Sequence, residues 1–154
     1  MRKMAEAIAE QRLVWQLRGR EAATLVHPTT ITAPYAFDRC CAALRVDFEK
    51  HRRWMVIDGL VFLAFVPLTI LPGPNLPAIY FSFRALGHFF SMTGAQNGLR
   101  RVQWTMTPSG ELAEIPGALT LNDDARDARI QQIGRALALD RLPAFIDRVC
   151  ERNA

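Results

Sequence analysis

MVIDGLVFLAFVPLTILPGPNLPAIYFSF, residues 55–83, decides the fold. The stretch is almost wholly apolar, yet Pro72-Gly73-Pro74-Asn75-Leu76-Pro77 interrupts it. Proline lacks a backbone donor, clashes with the preceding turn of a helix and pushes the residue before it towards extended geometry. Three prolines and a glycine in six positions therefore encode a turn. The arms read as helices from Trp54 to Leu71 and from Pro77 to about Gly94. At 1.5 Å per residue each spans roughly 26 Å, against about 30 Å for a hydrocarbon core. The fold class expected is all-α: a membrane helical hairpin, shallow or re-entrant, with amphipathic soluble helices on both sides. The competing reading is a helical hairpin buried in a soluble core.

Outside that stretch the chain is ordinary. It has 154 residues, 22% of them charged. A mean hydropathy of +0.03 excludes a polytopic transporter by composition. The net charge of +4 suits an anionic membrane surface or an acidic partner. No Lys/Arg block with interleaved aromatics occurs and most basic residues alternate with acids, so nucleic acid is not expected as a partner. Cys40, Cys41 and Cys150 lack the spacing of a zinc site and form an odd set, which predicts free thiols and no bound metal.

Three segments follow from periodicity and turn chemistry. Residues 1–34 hold an amphipathic helix over about Ala5–Leu25 and a Pro/Thr-rich turn from His27 to Pro34. Its arginines and alanines are similar to those of a mitochondrial targeting helix, but Glu6, Glu10 and Glu21 break the acid-poor rule, so an ordinary amphipathic helix is expected, with a targeting role as the alternative. Residues 35–101 hold a helix leading into the apolar hairpin, with Phe37, Cys41, Leu44 and Phe48 on one face. Gly94 and Gly98 read as helix-stop residues. Residues 102–154 comprise a loop through Pro108 and Pro116-Gly117 and then terminal amphipathic helices, the first capped by Asn122-Asp123-Asp124.

Charge sets an orientation. Arg45, Lys50, Arg52 and Arg53 precede the hairpin, Arg100 and Arg101 follow it, and the turn is uncharged. The positive-inside bias puts both termini on one side, with Arg52, Arg53, Trp54, Arg100, Arg101 and Trp104 as interface anchors. Asp58, Arg84 and His88 are the ionisable residues of the hairpin. Counted from the turn, Asp58 and His88 lie about 20 Å and 18 Å deep, and Arg84 about 12 Å. Unpaired charge in lipid costs about 2.5–3.5 kcal/mol, so pairing is expected, either as a relay through Asp58–His88 or as a structural Asp58–Arg84 pair. No nucleophile elbow, phosphate loop or metal-ligand pattern occurs, so neither an enzyme nor a cofactor is expected.

His51-Arg52-Arg53, Pro67-Leu68-Thr69, Leu71-Pro72, Pro74-Asn75-Leu76-Pro77, Tyr80, Phe83-Arg84-Ala85, His88, Gly94 and Leu99 together resemble the mitochondrial potassium–proton exchange-related family. The resemblance implies a small protein of the mitochondrial inner membrane, termini on the matrix side, connected with cation homeostasis. One short hairpin cannot rock against itself as alternating access requires. The function expected is therefore a non-catalytic accessory subunit docked among other membrane subunits, such as those of ATP synthase or a respiratory complex. The alternative is a component of potassium–proton exchange itself.

Overall fold

Proline 67 ends the first long helix, and the geometry of the hairpin follows from that break. The computed structural model describes residues 14–70 and 75–153. In chain order, residues 14–17 are helical, followed by β1 (Ala22–Pro28), α1 (Ala33–Phe65), a 3₁₀ turn (Val66–Ile70), α2 (Leu76–Arg100) and β2 (Gln103–Ser109). Two single-turn helices, α3 (Gly110–Ala113) and α4 (Ile115–Ala118), precede α5 (Asp123–Ala136) and α6 (Leu142–Asn153). Helix dominates, as expected. Two strands correct the all-α expectation.

The strands replace the end of the predicted first helix and the predicted loop. The turn at Arg18-Gly19 stops the helix, and Ala22–Pro28 then alternates exposed and half-buried residues with a period of two. Gln103 N–H donates to the Glu21 carbonyl and Thr29 N–H to that of Ser109, the same order along both strands. The pair is therefore parallel, and α1 with α2 forms the long crossover that a parallel pair needs. Residues before Val14 and the turn residues Pro72, Gly73 and Pro74 lie outside the described residues.

The helix predicted to lead into the hairpin and its first arm are one continuous 33-residue helix. It stops at Phe65 rather than Leu71 because Pro67 removes a donor. Among the described residues no helix is long and apolar enough to cross a membrane. The last 18 residues of α1 still include Glu49, Lys50, Arg52, Arg53 and Asp58, and α2 carries Arg84 and His88 among polar neighbours. The expectation of a membrane hairpin thus gains no support from helix length.

Leu44 with Gly98, Trp54 with His88, and Asp58 with Arg84 follow one antiparallel register between α1 and α2. Asn75 holds the turn end: its amide donates to the Phe65 carbonyl at 2.6 Å and its oxygen caps Ala78 N–H at 3.2 Å. Gly94 and Gly98 do not stop α2, which continues to Arg100. They admit the helical residues 14–17 instead. A methyl at Gly94 would sit 1.9 Å from the Val14 carbonyl oxygen, and one at Gly98 only 3.1–3.2 Å from Leu44 and Leu17.

Contacts divide the chain into two units: residues up to Thr24 with Phe37–Thr105, and Leu25–Ala36 with residues from Met106 onwards. In the second unit Ala118, Ile130, Ile133 and Ile146 form a small core between α4, α5 and α6. Asn122 caps α5 through Ala125 N–H, as its sequence predicts. At the other end Leu139 N–H donates to the Gly134 carbonyl and Ala138 N–H to that of Arg135, a Schellman closure. Ala138 occupies its left-handed position at φ 52°. An L side chain there costs roughly 1–2 kcal/mol that glycine avoids. Ala138→Gly should therefore stabilise this unit by about 1 kcal/mol, slowing amide exchange in α5 by about fivefold. Unchanged or faster exchange would remove the strain argument.

Candidate functional site

Antiparallel packing brings the hairpin's ionisable residues together in its first unit. Asp58 on α1 is only 1% exposed. Its Oδ2 accepts from Arg84 Nε at 3.1 Å and lies 3.4 Å from His88 Nε2. Arg84 and His88 stand one helical turn apart on α2, so one carboxylate meets both. The two pairings expected from the sequence are thus both present. Burying a carboxylate is costly unless such partners hydrogen-bond to it.

Aromatic rings surround the cluster. The Arg84 guanidinium carbon is 5.6 Å from the Trp54 ring centre and 5.8 Å from those of Tyr80 and Phe81. Trp54 also stacks on His88, with centroids 6.5 Å apart. Phe65 and Phe81 stack towards the turn. Among the described residues no buried side-chain polar atom lacks a partner.

A fourth member was not singled out from the sequence. His51 is buried, and its Nδ1 is 2.9 Å from Nδ1 of His88. A signal for it existed: His51 precedes Asp58 by seven residues, two helical turns, and so shares its face. If His88 donates Nε2–H to Asp58, its Nδ1 is the acceptor and His51 Nδ1–H the donor. Both imidazoles are then neutral. The arrangement is a carboxylate–imidazole–imidazole row that accommodates one added proton with its hydrogen bond intact, but not two.

Burial, reinforced by His88, lowers the pKa of His51 below 6.5; Asp47 opposes this and Lys50 adds to it. Burial raises that of the Cys40 thiol, with Cys41 adding to the effect. All three cysteines are free. Among the described residues no group of His, Cys, Asp or Glu side chains offers a metal three ligands.

The other sequence-derived positions fall around this cluster. Arg52 pairs with Glu49 at 2.7 Å, and Arg53 and Trp54 border an open cleft with Arg45 and Lys50. Arg100 and Arg101 close α2. Trp104 lies on β2, and its indole donates to the Gly98 carbonyl at 2.8 Å. Asn75 and Pro77 form the start of α2.

A family profile described as mitochondrial K+-H+ exchange-related matches residues 5–101. The chain belongs to that family. Its match takes in α1, α2 and every residue of the Asp58 cluster. The family's name connects it with mitochondria and with K+-H+ exchange. No curated protein and no solved structure matches the chain.

Two tests follow from this geometry. Asp58→Asn leaves the cation unpaired, but the Arg84 side chain is 37% exposed and partly hydrated. The loss should be about 1–2 kcal/mol, less than for a fully buried pair. Asp58→Asn with Arg84→Gln should recover more than half of it, read as denaturation midpoints in mild detergent. The second test is pH. Because folding lowers the His51 pKa, the unfolded chain binds more protons, and stability present above pH 6.5 is lost as pH falls from there through the lower folded value. Thermal midpoints at about pH 7.5 and about pH 5.5 should therefore diverge less in His51→Gln than in the native chain. Equal slopes would detach His51 from the acid sensitivity.

Proposed function

We propose that this family member is a non-catalytic accessory subunit seated in the mitochondrial inner membrane by the turn end of its hairpin, with both termini in the matrix. Its contribution to K+-H+ exchange would then be made through a host assembly. One observation carries the reading. Among the described residues, fourteen of the 22 exposed large apolar residues lie between Trp54 and Phe89, including Leu60, Leu63, Ile70, Leu76, Ile79 and Phe83. Such a concentration exceeds the scattered apolar surface that needs no explanation.

Charge supports the same seat. The ionisable residues in that stretch, Asp58, Arg84 and His88, turn inwards on one another, which lowers the cost of taking them into lipid. Basic residues gather just beyond the apolar part, at Lys50, Arg52 and Arg53 on α1 and at Arg100 and Arg101 on α2. The exposed apolar residues of α2 run from Leu76 to Phe89, about 20 Å. That is the depth of a re-entrant insertion rather than a full span.

A second reading, that the hairpin itself carries protons, is favoured by the His51–His88–Asp58 row. A pair of experiments on the full chain in isolated mitochondria separates the two. Resistance to alkaline carbonate, with migration in a large species on native gels in mild detergent, is the result expected of an accessory subunit. Complete carbonate release would remove the membrane seat, and migration only as a small oligomer would remove the host assembly. Should Asp58→Asn assemble normally yet abolish potassium-dependent swelling, proton carriage would replace the structural role.

A further inference from the structure

At the C-terminal end of α2, Arg18, Arg100 and Arg101 surround a cavity of about 230 Å³ together with Thr93, Gln96 and Asn97. The cleft is built. Asn97 donates its amide to the carbonyls of Leu17 (2.6 Å) and Arg20 (3.0 Å), clamping the turn that carries Arg18 against α2. Arg101 N–H is fixed to the Asn97 carbonyl at 2.9 Å. The Arg18 guanidinium carbon lies 4.2 Å from the centre of the Phe90 ring, which orients its plane.

Three guanidinium groups in one cleft repel each other, and among the described residues none of them has a carboxylate partner. By contrast Arg52, Arg84, Arg126 and Arg129 each meet an acid. The helix C-terminus contributes only about half a negative charge, too little to neutralise three cations. Thr93 and Asn97 have already committed donors to the backbone, so the donors left for a ligand are the guanidinium forks and the Gln96 amide. Planar forks that meet no acid among the described residues match phosphate oxygens.

Position selects the source. Thr93 follows Phe89, the last large exposed apolar residue of α2, by one turn, about 6 Å. Arg18 reaches down to the ring of Phe90. We propose that this cleft binds a phosphate diester anion, namely the headgroup phosphate of an anionic phospholipid whose acyl chains lie along the exposed side of α2. The placement of the acyl chains rests on the membrane seat proposed above, whereas the phosphate chemistry stands on the cleft alone.

Calorimetry of the purified full chain with short-chain phosphatidylglycerol, kept below its micelle concentration, tests the cleft without a bilayer. Binding should be saturable and stronger than to short-chain phosphatidylcholine. Replacing Arg18, Arg100 and Arg101 by Gln should weaken it roughly 100-fold, at about fivefold for each cation lost. Arg→Lys at the same three positions keeps the charge but not the forks, and should still cost tenfold or more. Far-ultraviolet circular dichroism establishes that the variants retain their helices. Equal binding by the Lys variant would replace the built site with diffuse surface charge, and no preference for phosphatidylglycerol would end the proposal. Inorganic phosphate at constant ionic strength that binds as tightly as the lipid would overturn the lipid source. Flotation with phosphatidylcholine vesicles addresses the seat separately: lipid binding in calorimetry without flotation retains the cleft and removes the bilayer insertion.

Discussion

A carboxylate almost without solvent sits between two apolar helices, and the hairpin is arranged around satisfying it. Burying a carboxylate is costly unless donors approach it, and Arg84 and His88 do so at Asp58 from successive turns of α2. Sliding α2 by one residue rotates both side chains by about 100° and strands the carboxylate. Apolar contacts alone would tolerate such a slip, because Phe, Leu and Ile surfaces are poorly discriminating. Buried polar pairing supplies the register, a specifying role for which apolar packing is the weaker instrument. The match at the other end, where Gly98 admits Leu44, is consistent with the same alignment.

The hairpin is polar inside and apolar outside over the same residues. In a water-soluble domain the order is reversed, and an exposed Phe83 or Leu60 would be a liability. Here the large apolar side chains are exposed while Asp58, His51 and Ser91 are buried. Small residues make the inner face possible, since Ala78, Gly94, Ala95 and Gly98 let backbones approach closely enough for polar groups to meet. The second unit follows the usual order, with Ile130, Ile133 and Ile146 inside and a charged surface on α5. The two units thus bury different kinds of side chain.

What was legible in the sequence was what local chemistry dictates. The cap at Asn122 follows from its side-chain acceptor, and the pairing of Asp58 across the hairpin from its cost in an apolar stretch. Counting from Leu71 sets Asp58 level with His88, whereas the register sets it level with Arg84, because the helix ends at Phe65. The strands were not legible. Ala22–Pro28 has weak alternation, and its partner lies some 80 residues later, so no window along the chain contains both. Their pairing is a consequence of the crossover, not of the segments themselves. Gly94 and Gly98 failed for a related reason. A glycine near a helix end reads as a stop, and only the arrival of Val14 and Leu17 reveals it as a point of close approach. His51 was legible only in its seven-residue spacing from Asp58, since its partner His88 lies 37 residues away.

Asn97 shows how these parts become interdependent. Its one amide holds two carbonyls of the turn before β1, while its own carbonyl receives Arg101 and Val102 just before β2. The start of both strands is therefore tied to a single residue of α2. Because α2 also carries Arg84 and His88, a rotation of that helix about its axis would disturb the Asp58 pairing and the strand origins together. The paired charges and the ribbon consequently constrain the same degree of freedom. Two weak restraints acting on one helix from opposite ends leave it less freedom than either would alone, and this is how a hairpin with so little apolar core can hold a defined register.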